Sequence, residues 1–172
     1  MHKIGDNILY GMSGIMTIVD IRNERLTDEE KTYYILCEYE RLSSSLTYVP
    51  MDNEKLLSAM HPLLTAEEVT AAISEAKSLP DIEWMPDSRA RAEFYRGIMR
   101  SANRREAMVM IRTIHNTGLR RAAIGKKNFL TDENIMRKAE SVLSLEISIS
   151  LGIPQAEAQE MINREIKGVA AR

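Results

Sequence analysis

Hydrophobic and polar positions alternate in short runs over the first 50 residues of the chain. β-Branched and aromatic residues cluster at positions 8–10, 15–21, 33–39 and 46–49. Glycines, a polar stretch at 23–31 and a serine run at 43–45 separate these clusters. Runs of this length and composition predict β-strands, and their spacing predicts a small barrel or a strongly bent sheet. We expect Pro50 to end the last strand, because proline cannot donate a hydrogen bond to a neighbouring strand.

From Thr65 onwards, apolar residues recur with the spacing of helices. Thr65 and Glu68 form the sequence signature of a capping box, and Leu79-Pro80 is expected to end this first helix. A second helix is predicted at about 88–100, with a buried face formed by Phe94, Tyr95, Ile98 and Met99.

Three further helices follow in the pattern. One begins at the N-cap Asn103 and is expected to end at Gly118. The next is a long helix capped by Thr131 and ended by Gly152, with Asp132 in its first turn. A basic connector at 120–127 joins these two, and Pro154 opens a last helix.

The predicted fold class is therefore α+β, with an N-terminal β domain followed by an all-helical domain. We place the β domain at residues 1–60 and the helical domain at 61–172. The helical domain includes a linker at 79–87, which carries Trp84, the only tryptophan of the chain.

Composition indicates a globular protein of the cytoplasm. The chain has 172 residues, of which 44% are hydrophobic and 28% charged, and no run approaches the roughly 20 apolar residues of a membrane helix. Its start lacks the apolar core of a secretory signal, and its single cysteine, Cys37, cannot form an internal disulfide. We therefore expect a cytoplasmic protein with no membrane partner.

Charge is distributed unevenly along the chain. Residues 1–83 have a net charge of −8, residues 84–130 a net charge of +8, and residues 131–172 a net charge of −2. The basic block contains 11 basic and 3 acidic residues. Such a block fits a polyanion-binding surface, but it also fits an ordinary solvated helix surface.

No catalytic constellation is visible in the sequence. The three histidines lie far apart in different predicted elements, and no glycine-rich phosphate-binding loop is present. A single cysteine without paired histidines does not favour a zinc site. A small nuclease would need clustered carboxylates or histidines beside the basic block. We therefore expect no enzyme activity, no metal, no cofactor and no small-molecule substrate.

Two features of the basic block are candidates for binding. Arg89, Arg96 and Arg100 share one face of the predicted second helix, and other basic residues of the block could widen this surface. The second feature is Trp84, which lies between Pro80 and Pro86. Trp84 either packs between the two domains as a buried residue or stands exposed as a wedge against DNA bases.

Several motifs resemble the CarD family, whose N-terminal module also occurs in the transcription-repair coupling factor. The opening Lys3-Ile4-Gly5-Asp6-Asn7-Ile8-Leu9-Tyr10 and the later Tyr48-Val49-Pro50 are similar to the family's first domain. Trp84, the run from Arg89 to Phe94, Ile111-Arg112-Thr113-Ile114, Gly125-Lys126-Lys127 and Leu151-Gly152-Ile153 follow the family's helical domain in order. The resemblance extends from about residue 2 to residue 166.

The resemblance implies a Tudor-like (SH3-like) β-barrel domain that docks on the β subunit of bacterial RNA polymerase. It also implies a helical domain whose tryptophan and basic residues meet the upstream edge of the melted promoter. The residues so implied for polymerase binding are Arg25, Thr47, Tyr48, Val49 and Pro50. Those implied for DNA binding are Trp84, Arg89, Arg91, Arg96, Arg100, Lys126 and Lys127.

Two positions depart from the family pattern. Tyr48 stands where some members have a basic residue before Val-Pro, although docking by backbone strand addition does not need that charge. Met85-Pro86-Asp87 is an insert after the tryptophan and includes an acidic residue.

The leading hypothesis is a transcription regulator that binds RNA polymerase and promoter DNA at once. It would bind DNA weakly or without sequence specificity on its own, and would join the nucleoid through polymerase. The alternative is a protein adaptor whose basic helices bind an acidic protein instead of DNA.

Overall fold

The computed structural model describes residues 2–26, 28–41 and 45–169. The described residues divide into two compact units, which separate between residues 63 and 64. The first unit contains an antiparallel sheet and the second contains helices, which confirms the predicted α+β class.

The first unit is a five-stranded antiparallel sheet with the strand order β4-β3-β2-β1-β5. β1 (Asn7–Tyr10), β2 (Ile15–Glu24), β3 (Lys31–Glu38) and β4 (Thr47–Pro50) occupy the four predicted runs. The polar stretch at 23–31 is shorter as a loop than predicted, because both flanking strands extend into it. The serine run predicted as a turn lies largely outside the described residues.

A short helix and a fifth strand were not predicted. α1 (Glu54–Leu57) begins at Asn53, whose side chain accepts a hydrogen bond from the Leu56 N–H. β5 (Met60–Pro62) pairs with β1 and carries the sheet past residue 60, where the predicted first domain ends. His61-Pro62 is typical of a loop, but an edge strand tolerates proline because it needs hydrogen bonds on one side only.

One hydrophobic core cluster of the first unit lies on one face of this sheet. Its buried residues come from all five strands, and they are Ile8, Met16, Ile18, Tyr34, Leu36, Val49 and Met60. β2 carries an irregularity in its pairing with β3 between Ile18 and Asp20. Such a bulge bends a strand and increases its twist, which agrees with the strongly bent sheet expected from the sequence.

The second unit consists of five helices and a final π-helical turn. The helices are α2 (Ala66–Ser78), α3 (Ser88–Ser101), α4 (Arg104–Ala122), α5 (Leu130–Leu151) and α6 (Gln155–Met161), followed by the turn Ile162–Ile166. The capping box of Thr65 and Glu68 and the cap at Asn103 are present as predicted. No helix in the described part of the chain is long and apolar enough to span a bilayer.

Two predicted helix ends are wrong. α4 continues through Gly118 to Ala122, and α5 begins at Leu130, so Thr131 lies inside its first turn and does not cap it. Gly152 does end α5, with a left-handed φ of 65°. The prediction that Phe94 is buried is also wrong. Its side chain is 43% exposed, because its position lies at the margin of the buried face of α3.

Gly118 is inside a helix because another side chain occupies the space beside it. A Cβ atom at this position would lie 2.8 Å from Nδ2 of Asn128, which packs across the helix and accepts a hydrogen bond from the Phe129 N–H. Gly97 of α3, in contrast, would place its Cβ no closer than 3.9 Å to a neighbouring atom.

Alanine substitutions at these two glycines should therefore differ in sign. Gly97→Ala is expected to raise the free energy of unfolding by about 0.5–1 kcal/mol, because alanine is the better helix former. The free energy of unfolding of Gly118→Ala is expected to be about 1–2 kcal/mol lower than that of Gly97→Ala, because Asn128 must move. Urea unfolding followed by circular dichroism measures both variants. Equal stability of the two would show that Asn128 does not constrain α4.

Candidate functional site

β4 forms one edge of the sheet in the first unit. It pairs with β3 on one side, with Val49 opposite Tyr34 and Tyr48 opposite Ile35. No strand pairs with its other side among the described residues. An edge of this kind offers backbone groups that a strand of another protein can complete.

The direction of the β4 backbone groups follows from the pairing. The Met51 N–H donates to the Thr32 carbonyl at 2.9 Å, so the backbone of Met51 faces β3. Backbone groups alternate in direction along an antiparallel strand, so the backbone groups of Val49 and Thr47 face β3 as well. The N–H and C=O of Tyr48 therefore face the open edge. Pro50 has no N–H, and its carbonyl accepts from the Asn53 N–H.

The residues predicted to bind polymerase occupy different environments. The Val49 side chain is completely buried in the core, so it is not available for a side-chain contact, and polymerase binding by Val49 stays a prediction. Tyr48 is partly exposed and packs edge-on against Tyr33, with ring centroids 6.2 Å apart. Thr47 and Pro50 are partly exposed. Arg25 is exposed and donates to the Asp28 carbonyl in the loop between β2 and β3.

Trp84 lies on the segment between α2 and α3, and α4 holds the first part of this segment. Arg112 donates to the carbonyls of Ala76 and Leu79 and to the carboxylate of Asp81 at 2.7 Å. Asn116 donates to the same carboxylate, and the Thr113 hydroxyl accepts from the Ile82 N–H at 2.9 Å. The segment is therefore anchored, and the motif Ile111-Arg112-Thr113-Ile114 supplies two of its anchors.

The anchoring of this segment depends on pH through the ionisation of the Asp81 carboxyl. Partial burial raises the pKa of the Asp81 carboxyl, but hydrogen bonds from Arg112 and Asn116 outweigh burial and leave the pKa below its usual value. A carboxyl with a lowered pKa contributes stability at neutral pH and loses that contribution as the pH falls through the lowered pKa. The anchoring of the segment therefore persists at neutral pH and weakens only in acid.

The Trp84 side chain is 43% exposed, which contradicts the buried alternative considered for it. Its inner side packs against two residues. The Phe129 ring centroid lies 5.5 Å from that of Trp84, and Cζ of Arg91 lies 4.3 Å from the Trp84 centroid and 4.5 Å from that of Phe129. We call Trp84 with Phe129, Arg91 and Asp132 the tryptophan platform.

Arg91 is the base of the tryptophan platform and is not a surface residue. Its side chain is 1% exposed, and its Nε donates to Asp132 Oδ2 at 2.8 Å. Its Nη1 donates to the Met85 carbonyl at 2.7 Å. The predicted direct contact of Arg91 with DNA is therefore wrong, because the guanidinium is enclosed. The spacing of 91, 95 and 98 places Arg91 with Tyr95 and Ile98 on the buried face of α3, so the signal was present in the sequence.

Ion pairs divide the basic block into two groups. Five of its 11 basic residues pair with carboxylates: Arg91, Arg100, Arg104, Arg105 and Arg112. The other six make no ion pair within the described residues: Arg89, Arg96, Arg120, Arg121, Lys126 and Lys127. This division separates the three arginines predicted to share one face of α3, because Arg100 pairs with Glu93 at 2.5 Å whereas Arg89 and Arg96 make no ion pair within the described residues.

Four of the unpaired cations lie at the end of α4 and in the loop that follows. Arg121 stacks on Phe129, with Cζ 4.1 Å from the ring centroid, and its Nε donates to the Lys127 carbonyl at 2.8 Å. We call Arg120, Arg121, Lys126 and Lys127 the loop patch. Since Phe129 touches both Arg121 and Trp84, the loop patch adjoins the tryptophan platform. The sequence predicted the two lysines as DNA-binding residues and Arg121 as one of the basic residues that could widen the surface, but it did not indicate Phe129.

Comparisons with known proteins identify the first unit. Residues 2–62 match the family model described as the CarD-like/TRCF RID domain. A search of curated proteins found no match for the chain. Domains of the matched family are Tudor-like, non-catalytic interaction domains that bind the β subunit of RNA polymerase. The N-terminal unit of this chain is therefore similar to the CarD-like/TRCF RID domain family, and this match supports a transcription-related protein that interacts with RNA polymerase.

Proposed function

We propose that this protein is a bacterial transcription regulator that docks on the polymerase β subunit and contacts promoter DNA near the upstream edge of the melted region. The first unit binds polymerase through the open edge of β4. The second unit contacts DNA through Trp84 and the loop patch, and the contact changes the lifetime of the open complex.

One observation carries the DNA part of the proposal. A half-exposed tryptophan stands on an anchored segment beside cations that no carboxylate neutralises within the described residues. An aromatic side chain can wedge against an unstacked base step, which costs least where the duplex is already distorted. Unpaired cations nearby can contact the phosphates that flank the step.

Docking through polymerase explains how weak DNA contacts become effective. A second binding event within a complex is governed by an effective local concentration, so neither contact needs to be strong on its own. DNA binding by the loop patch is expected to be independent of base sequence, because phosphate contacts orient a protein on DNA without reading the bases.

Tyr48 provides the sharpest test of docking. Tyr48→Pro removes the outward N–H of β4, whereas Tyr48→Ala removes the same side chain and keeps that donor. We expect Tyr48→Pro to bind polymerase core roughly fivefold more weakly than Tyr48→Ala, in line with the loss of one hydrogen bond of about 1 kcal/mol. Biolayer interferometry on the full chain measures both affinities.

Val49→Pro is a poor probe of the same idea. The Val49 N–H faces β3 and its side chain is fully buried, so the substitution would disrupt the fold together with the docking edge. If Tyr48→Pro and Tyr48→Ala bind polymerase equally while both remain folded, backbone pairing at this edge is excluded.

The loop patch makes a prediction about salt. We expect Lys126→Ala/Lys127→Ala to reduce the slope of log affinity for promoter DNA against log salt concentration by about 1–2 units. A protein that makes fewer phosphate contacts releases fewer counterions when it binds DNA. Arg105→Ala is the matched control, since Arg105 already pairs with Glu75 at 2.6 Å. Filter binding at several salt concentrations measures the slope. An unchanged slope in the lysine variant would favour an acidic protein as the partner of this surface.

A further inference from the structure

The ion pair beneath Trp84 is not explained by its effect on stability alone. Arg91 and Asp132 are 1% and 3% exposed, so both charges have lost nearly all of their water. The desolvation of two charges often cancels their attraction, and apolar residues of similar volume are commonly as stable. Within the described residues, Nη2 of Arg91 and Oδ1 of Asp132 also have no hydrogen-bond partner, so the pair is incompletely satisfied.

Arg91 connects its own helix, α3, with α5 and with the anchored segment through one rigid group. Its planar guanidinium contacts α5 at Asp132, the anchored segment at Met85 and the indole ring of Trp84. Met85 is the residue next to Trp84, so the bond to its carbonyl restrains the backbone from which the indole projects. A guanidinium keeps its hydrogen-bond directions fixed and stacks on aromatic faces, which an ammonium group cannot reproduce.

We propose that Arg91, held by Asp132, is a positioning residue that fixes the orientation of the Trp84 indole before DNA is bound. This inference rests on the proposed function, in which Trp84 is the group that meets DNA. Arg91 acts from beneath and does not touch DNA itself. Without it the indole would have to be ordered at the moment of binding, and that ordering would weaken the contact.

Trp84 is itself the probe for the test, because it is the only tryptophan of the chain. We expect Arg91→Met/Asp132→Leu to replace the ion pair with apolar packing and to leave the protein folded. In the free protein, the nanosecond fluorescence anisotropy of Trp84 should fall and its quenching by acrylamide should rise. Open complexes formed with this variant should decay roughly threefold faster, a smaller change than the loss of the whole stacking contact.

Arg104→Met/Glu146→Leu is the matched control. It removes another buried ion pair of the same unit, in which Arg104 and Glu146 are 10% and 1% exposed. We expect this control to leave the anisotropy and the quenching of Trp84 unchanged. Arg91→Lys is the second test variant, since it keeps the positive charge and should fold even if the double variant does not. It should shift both fluorescence signals in the same direction.

The fluorescence signals decide the inference separately from the proposed function. Wild-type anisotropy and quenching in both Arg91 variants would overturn the positioning role. If Trp84→Ala leaves the open-complex lifetime unchanged, the proposed DNA contact is wrong, and the fluorescence still reports whether Arg91 orders the indole.

Discussion

Replacing Asp132 by alanine is expected to lower the free energy of unfolding by about 3–5 kcal/mol. The substitution leaves the Arg91 guanidinium, which is 1% exposed, without its counter-charge. Asp132 also lies close enough to affect Tyr95: burial raises the pKa of the Tyr95 phenol to about 12, and the negative charge of Asp132 adds to that rise. The carboxylate is therefore part of the packed interior of the helical unit.

Glu133→Ala is the control for this substitution. Glu133 is the next residue of α5 and pairs with Arg137 one turn later at 3.6 Å, where Arg137 is 67% exposed. Exposed pairs of this kind contribute about 0.3–0.5 kcal/mol. The free energies of unfolding of the two variants, measured in urea, should therefore differ by several kcal/mol. A loss below about 1 kcal/mol in Asp132→Ala would mean that water reaches Arg91 and that the base of the tryptophan platform is not enclosed.

Replacing Trp84 by alanine is expected to have its main effect on DNA and not on folding. A buried tryptophan truncated to alanine costs about 3–5 kcal/mol. Trp84 is 43% exposed, so we expect a loss of about 1–2 kcal/mol, which arises from its contacts with Arg91 and Phe129. The loss of a base-stacking contact is worth about 1–3 kcal/mol, so the open complex should decay roughly tenfold faster.

Phe94→Ala separates this effect from a general loss of aromatic surface. Phe94 is also 43% exposed and belongs to the same unit, but it lines an apolar cavity of about 530 Å³ with Leu79 and Ile98. We expect its removal to leave the open-complex lifetime near the wild-type value. An equal effect of both substitutions would show that unit stability controls the lifetime.

The strands and most helices could be predicted because local signals determine them. The capping box at Thr65 and the glycine with left-handed φ at position 152 act within a few residues, so the sequence alone predicts the helix ends that they form. Gly118 and Gly152 show the limit of such signals. Gly152 ends its helix, whereas Gly118 accommodates Asn128, a residue that lies ten positions later and comes close only in the folded chain.

The candidate sites were predictable in part for the same reason. Trp84 and the two loop lysines stood out as residue types, whereas Arg91 and Arg89 looked alike until packing placed one inside and the other outside. The pairing of Arg91 with Asp132 joins positions 41 residues apart, and neither residue indicates the other in the sequence. The buried role of Val49 also depended on knowing which face of β4 meets the core.

The decay of preformed open complexes tests the central claim most directly. The lifetime is measured with competitor DNA, for polymerase alone and with the wild-type protein, Trp84→Ala, Tyr48→Pro, or both substitutions together. If one chain holds polymerase and promoter at once, each substitution shortens the lifetime relative to wild type. In addition, Trp84→Ala has a smaller effect in the Tyr48→Pro background, because a protein that docks more weakly places its indole at the bubble edge less often. A lifetime that is the same with wild-type protein and with Trp84→Ala would contradict the account.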